Sequence, residues 1–179
     1  MRVLIDRYRD ELLRFLIRFM GDRQAAEDVF QETFLQVHIS ADTFDTSRRL
    51  KPWLFTIAAN KGRDLHRKNA KRFTLELSAE VDGDAGPRFV DLMEIETTRP
   101  LDAMQARERE ERVQAAVRDL PEHYREILLL AYFQKMTYAQ LAEVLAIPLG
   151  TVKSRLHAAV AAFARSWQDV WAREGEDRS

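Results

Sequence analysis

Apolar residues recur along most of the chain at the three- and four-residue spacing of helices, and no stretch alternates convincingly as a strand does. Leu12, Leu13, Leu16 and Phe19 form one such series, which stops at Gly21. Asp22 is placed to cap a second helix that runs to about His38. The polar stretch "SADTFDTSRR" reads as a loop. Pro52 suits the first turn of a third helix, "WLFTIAANKGRDLHRKNAKR". "SAEVDGDAGPRF" contains Gly83, Gly86 and Pro87 and no apolar period, so it reads as a linker. Helical character resumes near Leu101, and Pro121 interrupts it to start "EHYREILLLAYF". "TYAQLAEVL", the short turn "AIPLG" and a last helix follow. The pattern predicts an all-α protein with two small helical domains, residues 1–72 and 101–172, and a tail over 173–179. A flexible acidic linker over 73–100 joins the domains, too long for an ordinary loop inside one compact unit.

Charge changes this picture more than composition does. The chain has 179 residues, 46% apolar and 32% charged, a globular balance. Its net charge of −1 argues against a polyanion partner only if the charges are mixed, and they are segregated. From Arg48 to Arg72 run Arg48, Arg49, Lys51, Lys61, Arg63, Arg67, Lys68, Lys71 and Arg72, with Asp64 the sole acid among them. From Phe73 to Arg112 acids dominate. A basic block beside an acidic one predicts a local polyanion site on a nearly neutral chain. No apolar run approaches the roughly 20 residues of a membrane span, and the charged N-terminus is no signal peptide. The chain has no cysteine, which excludes disulfides and thiolate metal sites and suits a cytoplasmic protein.

"MTYAQLAEVLAIPLGTVKSRLHAAVAAF" has the pattern of a helix-turn-helix, whose second helix enters the DNA major groove near its N-terminus. Thr137 is placed to cap the first helix, and Tyr138, Leu141, Ala142 and Leu145 give it an apolar face. Gly150 sits where the turn is expected to be tight, and Thr151 is placed to cap the second helix. At about 100° per residue, Val152, Leu156, Ala159 and Phe163 point inward. Lys153, Ser154, His157, Ala158 and Ala161 point outward, with Arg155 on the flank, in reach of a phosphate or of the core edge. Lys153, Ser154 and His157 supply the donors and acceptors that base-edge readout needs. An ordinary helical hairpin with a solvated Lys is the plainer reading.

In the second helix Phe30, Phe34 and Val37 form a core stripe, while Asp28, Gln31, Glu32 and Leu35 form another. That acidic, amide and apolar mixture suits a basic protein partner better than DNA, although on spacing alone a solvated face accounts for it better. The third helix begins apolar and aromatic and ends basic. Asn60, Arg63 and Arg67 share a face, where Arg and Lys can hold phosphates and Asn60 can read a base edge. An exposed Trp53 can stack on an unpaired base; plain core packing is the other reading for it, and the preferred one for Phe55.

"AEDVFQETFLQV", "KPWLFTIAANKGRDLHRK" and "LPEHYREILLLAYFQKMTYAQLAEVLAIPLGTVKSRL" together resemble the extracytoplasmic-function (ECF) group of bacterial sigma factors. The resemblance covers nearly all of the chain outside the linker. It implies sigma region 2 followed by region 4, core RNA polymerase and promoter DNA as partners, and an anti-sigma factor as a possible one. By resemblance, Asp28, Gln31, Glu32 and Leu35 match the surface that docks on the polymerase clamp helices. Trp53, Asn60, Lys61, Arg63, Arg67 and Lys68 match the segment that captures the melted minus-ten element, and the loop "SADTFDTSRR" the one that surrounds a flipped base. Thr151, Lys153, Ser154, Arg155 and His157 match positions at the minus-thirty-five element. The acidic linker matches the segment that threads toward the polymerase active centre and RNA exit path.

The chain departs from the family in two respects. The family usually has more chain before "YRDELLRFL", so either the first helix is short or the natural start lies upstream. The family also commonly continues its recognition helix with basic residues where this chain has Ala158 and Val160, and each lost phosphate contact flattens the salt dependence by about one unit of slope.

The alternative is a helix-turn-helix regulator that binds duplex DNA as a dimer, with the N-terminal half as a sensor. The basic, Asn-bearing third helix argues against it, since a sensor does not need one. An enzyme is not expected. His38, His66, His123 and His157 are scattered, no Gly-rich phosphate loop is present, and no cofactor or metal is called for.

Overall fold

A computed structural model of the protein describes residues 2–72 and 103–176. The expected acidic tether over 73–100 lies outside these residues. Helices account for the described chain, and no strand occurs among the described residues.

Helix α1 spans Arg2–Met20. Leu12, Phe15, Leu16 and Phe19 fall on one stripe and are almost fully buried, so their packing fixes which side of α1 faces the bundle. Gly21 ends the helix in the left-handed region at φ +73, where a side chain would be strained. Asp22 then caps α2 (Arg23–Ile39), its carboxylate accepting from the Ala25 amide at 2.7 Å. Helix α3 spans Leu50–Arg72, with Pro52 in its first turn as the sequence predicts. Phe55 meets Phe15 edge-on at 5.3 Å, and His66 meets Phe19 edge-on at 5.4 Å. These contacts, with α2 packed on both α1 and α3, make the first bundle.

In the second half, α4 (Ala103–Arg118) precedes α5 (Glu122–Leu128). Instead of running on as one helix through Phe133, the chain widens into a π turn at Leu129–Phe133. The Gln134 amide reaches back to the Leu129 carbonyl, and Lys135 follows at φ 52. Helix α6 (Tyr138–Leu145) opens on a full capping box between Thr137 and Gln140. Its buried face is Leu141, Val144 and Leu145; Tyr138, expected inside, is 48% exposed at the first position of the helix. Helix α7 runs from Leu149 to Glu176, past the expected end of the domain at 172, and packs across α4, α5 and α6.

The turn before α7 differs from expectation. Ala146, not Gly150, takes the left-handed conformation, at φ 53. Gly150 lies inside the first turn of α7, and the Pro148 carbonyl accepts the first helical bond from Val152 at 3.0 Å. Thr151 is therefore an interior helical residue and not the cap.

The buried side chains of both halves form one continuous cluster. Helix α3 packs on α6, and α1 packs on α4, α5 and the π turn. The two bundles are docked, which their separate helical periods do not foretell.

Two glycines offer a paired test of this packing. A Cβ on Gly62 would lie 2.6 Å from Cε1 of buried Phe19, whereas one on Gly150 meets nothing within 4 Å. Overpacking costs about 1–3 kcal/mol, and a helical Gly→Ala change gains up to about 1 kcal/mol. Gly62→Ala should lower the urea midpoint and Gly150→Ala should hold or raise it. The reverse order would contradict the α1–α3 contact.

Candidate nucleic-acid and partner interfaces

The stripe predicted on α2 is exposed along its length. Asp28, Gln31 and Glu32 face solvent, and Leu35 is 60% exposed. Ile39, one turn further on and 66% exposed, extends it; the sequence places the helix end at about His38, one residue short of it. Opposite, Val29, Phe34 and Val37 are buried, so the core fixes the stripe outward. The Glu32 carboxylate lies 3.7 Å from Lys61 Nζ, which ties the edge of this stripe to α3.

On α3, Asn60, Arg67 and Lys68 are exposed, Lys61 and Arg63 are half-buried, and Phe55 is core. Trp53 is half-buried too. Its ring lies 4.6 Å from that of Phe44, which the loop 40–49 folds over it. This loop contains a short 3₁₀ turn at Ala41–Thr43. Asp45 braces it by accepting from the Ser47 amide and hydroxyl, and these bonds hold the Asp45 carboxyl below its ordinary range.

The basic block is far better balanced than its own sequence implies, because its acids come from other elements. Arg67 pairs with Asp64 within α3 at 2.5 Å. Lys51 pairs with Glu11 of α1 and donates to the Gln134 carbonyl at 3.1 Å. Arg48 pairs with Glu143 of α6. Arg63 donates to Asn60 Oδ1 and, at 2.5 Å, to Glu126 of α5. The Glu126 side chain is only 3% exposed. Burial pushes its carboxyl above the usual range, and the Arg63 guanidinium pulls the other way, as does Arg155. Arg125, beside it in sequence, donates to the Phe19 carbonyl at the end of α1 and to the Arg118 and Leu120 carbonyls. Glu126 and Arg125 were missed in the sequence because both sit in a polar first half of α5, "EHYRE", where nothing local marks which charges turn inward.

In the helix-turn-helix, Lys153, Ser154 and His157 are exposed near the start of α7, and Val152, Leu156, Ala159 and Phe163 are buried. The Ser154 hydroxyl donates back to the Gly150 and Thr151 carbonyls. Arg155, expected on the flank, is half-buried, and its charge acts on His123 and Glu126 of α5. It therefore covers the core edge. Ala161, expected to point outward, is only 6% exposed, and Ala158 is half-buried. Helix α7 is packed on more than one side, so these alanines are where neighbours come close and do not form an idle outward face. Among the described residues no cluster of His, Asp and Glu could hold a metal, and no helix is long and apolar enough to cross a membrane.

Residues 4–72 match the sigma-70 region 2 family, and residues 110–163 match sigma-70 region 4. The chain belongs to the ECF group of sigma-70 factors. It is 31% identical to the ECF RNA polymerase sigma factor SigW of Bacillus subtilis, over 93% of this chain and 88% of that one. It is 33% identical to SigL of Mycobacterium tuberculosis, over 95% and 90%. The fold matches the Bartonella quintana sigma factor RpoE in its complex with the anti-sigma factor NepR, at a TM-score of 0.67 and 20% identity, covering 94% and 98% of the two chains. It also matches CnrH in complex with the cytosolic domain of CnrY, at a TM-score of 0.62 and 25% identity, covering 90% and 83%. In this sigma factor the α1–α3 bundle is region 2, and α4–α7 contain region 4.

Proposed function

We propose that this sigma factor divides promoter recognition among three surfaces. The carrying observation is that an acidic–apolar stripe, a basic Asn-bearing helix face and a polar recognition-helix start lie on three different elements. The α2 stripe of Asp28, Gln31, Glu32 and Leu35 docks on core RNA polymerase. Its exposed leucine supplies apolar contact and its carboxylates supply complementarity to a basic surface. The α3 face captures the melted minus-ten strand. There Asn60 reads a base, Lys61, Arg63, Arg67 and Lys68 hold phosphates, and Trp53 walls the pocket beside the 40–49 loop. The start of α7, with Lys153, Ser154 and His157, reads the minus-thirty-five duplex. Thr151 lies at its edge, and Arg155 anchors the helix to α5 and reaches phosphate only from that flank.

On this reading the protein has no catalysis of its own and acts in the cytoplasm. Melting is favoured because unpaired bases and phosphates find partners that duplex DNA does not offer. RpoE and CnrH are described bound to NepR and to CnrY, and that supports a comparable anti-sigma partner here. A duplex-only regulator would leave the α3 face and the α2 stripe without a task.

Run-off transcription with core polymerase on a promoter library tests the assignment. A base contact is worth about 1–3 kcal/mol, so Asn60→Ala and Arg63→Ala should each reduce open-complex formation about tenfold while duplex binding changes little. Equal loss of both would remove α3 from strand capture. Reversing two interfacial charges costs several kcal/mol, so Asp28→Lys with Glu32→Lys should weaken core binding by about 100-fold or more, with an unchanged unfolding midpoint. Retained core affinity would return the stripe to a plain solvated surface.

A further inference from the structure

The outward stripe of α7 begins one turn before the residues assigned to it. Leu149 is the first residue of the helix and is 47% exposed. Leu149, Lys153 and His157 follow one another at a spacing of four and so lie along one side. Val152 and Leu156, which face the other way, are buried in the apolar cluster that runs through both bundles, and Leu149 takes no part in it. Its neighbours Pro148 and Gly150 are exposed as well, and a Cβ on Gly150 would meet nothing within 4 Å. The helix therefore starts on an uncharged, apolar tip whose side chains the core does not use.

That tip stands where a recognition helix meets base edges, since the N-terminal residues of the second helix enter the major groove. It carries no cation with which to hold a phosphate. The apolar group that the major groove displays is the C5-methyl of thymine. Hydrogen-bond readout beside it is short. The Ser154 hydroxyl already donates to the Gly150 and Thr151 carbonyls, so Lys153 and His157 are left to supply donors. An apolar contact at Leu149 extends the readout by one turn of helix.

We propose that Leu149 is a specificity-determining residue of this region 4, packing on a thymine methyl in the minus-thirty-five element. The inference rests on the assignment of α7 to that duplex. The contact covers a leucine that the free chain leaves in water, and it selects thymine by its methyl. Cytosine has no methyl there and presents an amine in place of the thymine carbonyl. Uracil differs from thymine in the methyl alone, which isolates the contact.

Deoxyuridine scanning therefore tests it. The probe is the promoter duplex recovered from the run-off library, with each thymine of its minus-thirty-five element, on either strand, replaced in turn by deoxyuridine. The protein is the full chain on core polymerase. At one position the replacement should weaken wild-type binding by about threefold, the worth of one buried methyl. Leu149→Ala should bind the thymine duplex more weakly by about as much or more, and should no longer distinguish thymine from uracil at that position. Lys153→Ala should weaken binding to both duplexes and still distinguish them. Because Leu149 lies outside the core, its truncation should leave the urea midpoint unchanged.

A flat uridine scan of the wild type, with Lys153→Ala still weakening duplex binding, would overturn the role of Leu149 and leave the assignment of α7 standing. Discrimination that survives Leu149→Ala would overturn it too, as would a minus-thirty-five element with no thymine on either strand. If neither Leu149→Ala nor Lys153→Ala changes duplex affinity, the assignment of α7 itself fails, and the inference falls with it.

Discussion

The arrangement turns on one buried contact, the guanidinium of Arg63 against the carboxylate of Glu126. A carboxylate at 3% exposure is tolerable as an ion only if a cation meets it. Its own bundle supplies Arg155 nearby, but the direct partner comes from the other half of the chain. Region 4 therefore satisfies its buried acid on region 2. Region 4 in turn neutralises part of the basic face of region 2, which would otherwise be strongly self-repulsive. Each bundle has its own apolar stripe, yet their cores merge beneath this pair into a single cluster.

The seam combines ion pairs with a continuous apolar core. Hydrophobic area exposed on opening loses its full transfer energy, whereas charges returned to water recover their hydration. The merged apolar core therefore supplies the adhesion, and Arg63–Glu126, Arg48–Glu143 and Arg18–Glu110 specify the docked geometry.

The sequence alone yielded much of the fold. Leu12, Leu16 and Phe19 of the first stripe, the caps at Asp22 and Thr137, and the helix-turn-helix all follow from local rules that operate within a few residues, whereas Leu13 of that stripe is half-buried and Phe15 takes the core position instead. The misreadings share a cause. Gly150 was expected at the tight turn because glycine usually goes there, yet Ala146 adopts the left-handed turn and Pro148 starts the helix. Ala161 was expected outside because a single helical wheel assumes one buried side, while α7 is packed on several. The basic block looked unopposed because Glu11, Glu126 and Glu143 are far away in sequence. Periodicity reports which face of a helix is buried and not which helix from another bundle will cover it. The α2 stripe and the α3 face were therefore legible as surfaces, and the docking of region 4 was not.

The central claim is that region 2 and region 4 are docked on one another in the free chain, with Glu126 paired to Arg63 across the seam. Pulsed electron–electron distance measurement between spin labels at exposed positions 14 and 165 reads that separation directly, since the chain contains no cysteine of its own. The free protein should give a single short distance consistent with docked bundles. Arg63→Ala, which leaves Glu126 buried without its direct partner, should broaden the distribution or shift it to longer distances. A free protein that shows a long or broad distance would contradict the account, as would an Arg63→Ala distribution identical to that of the wild type.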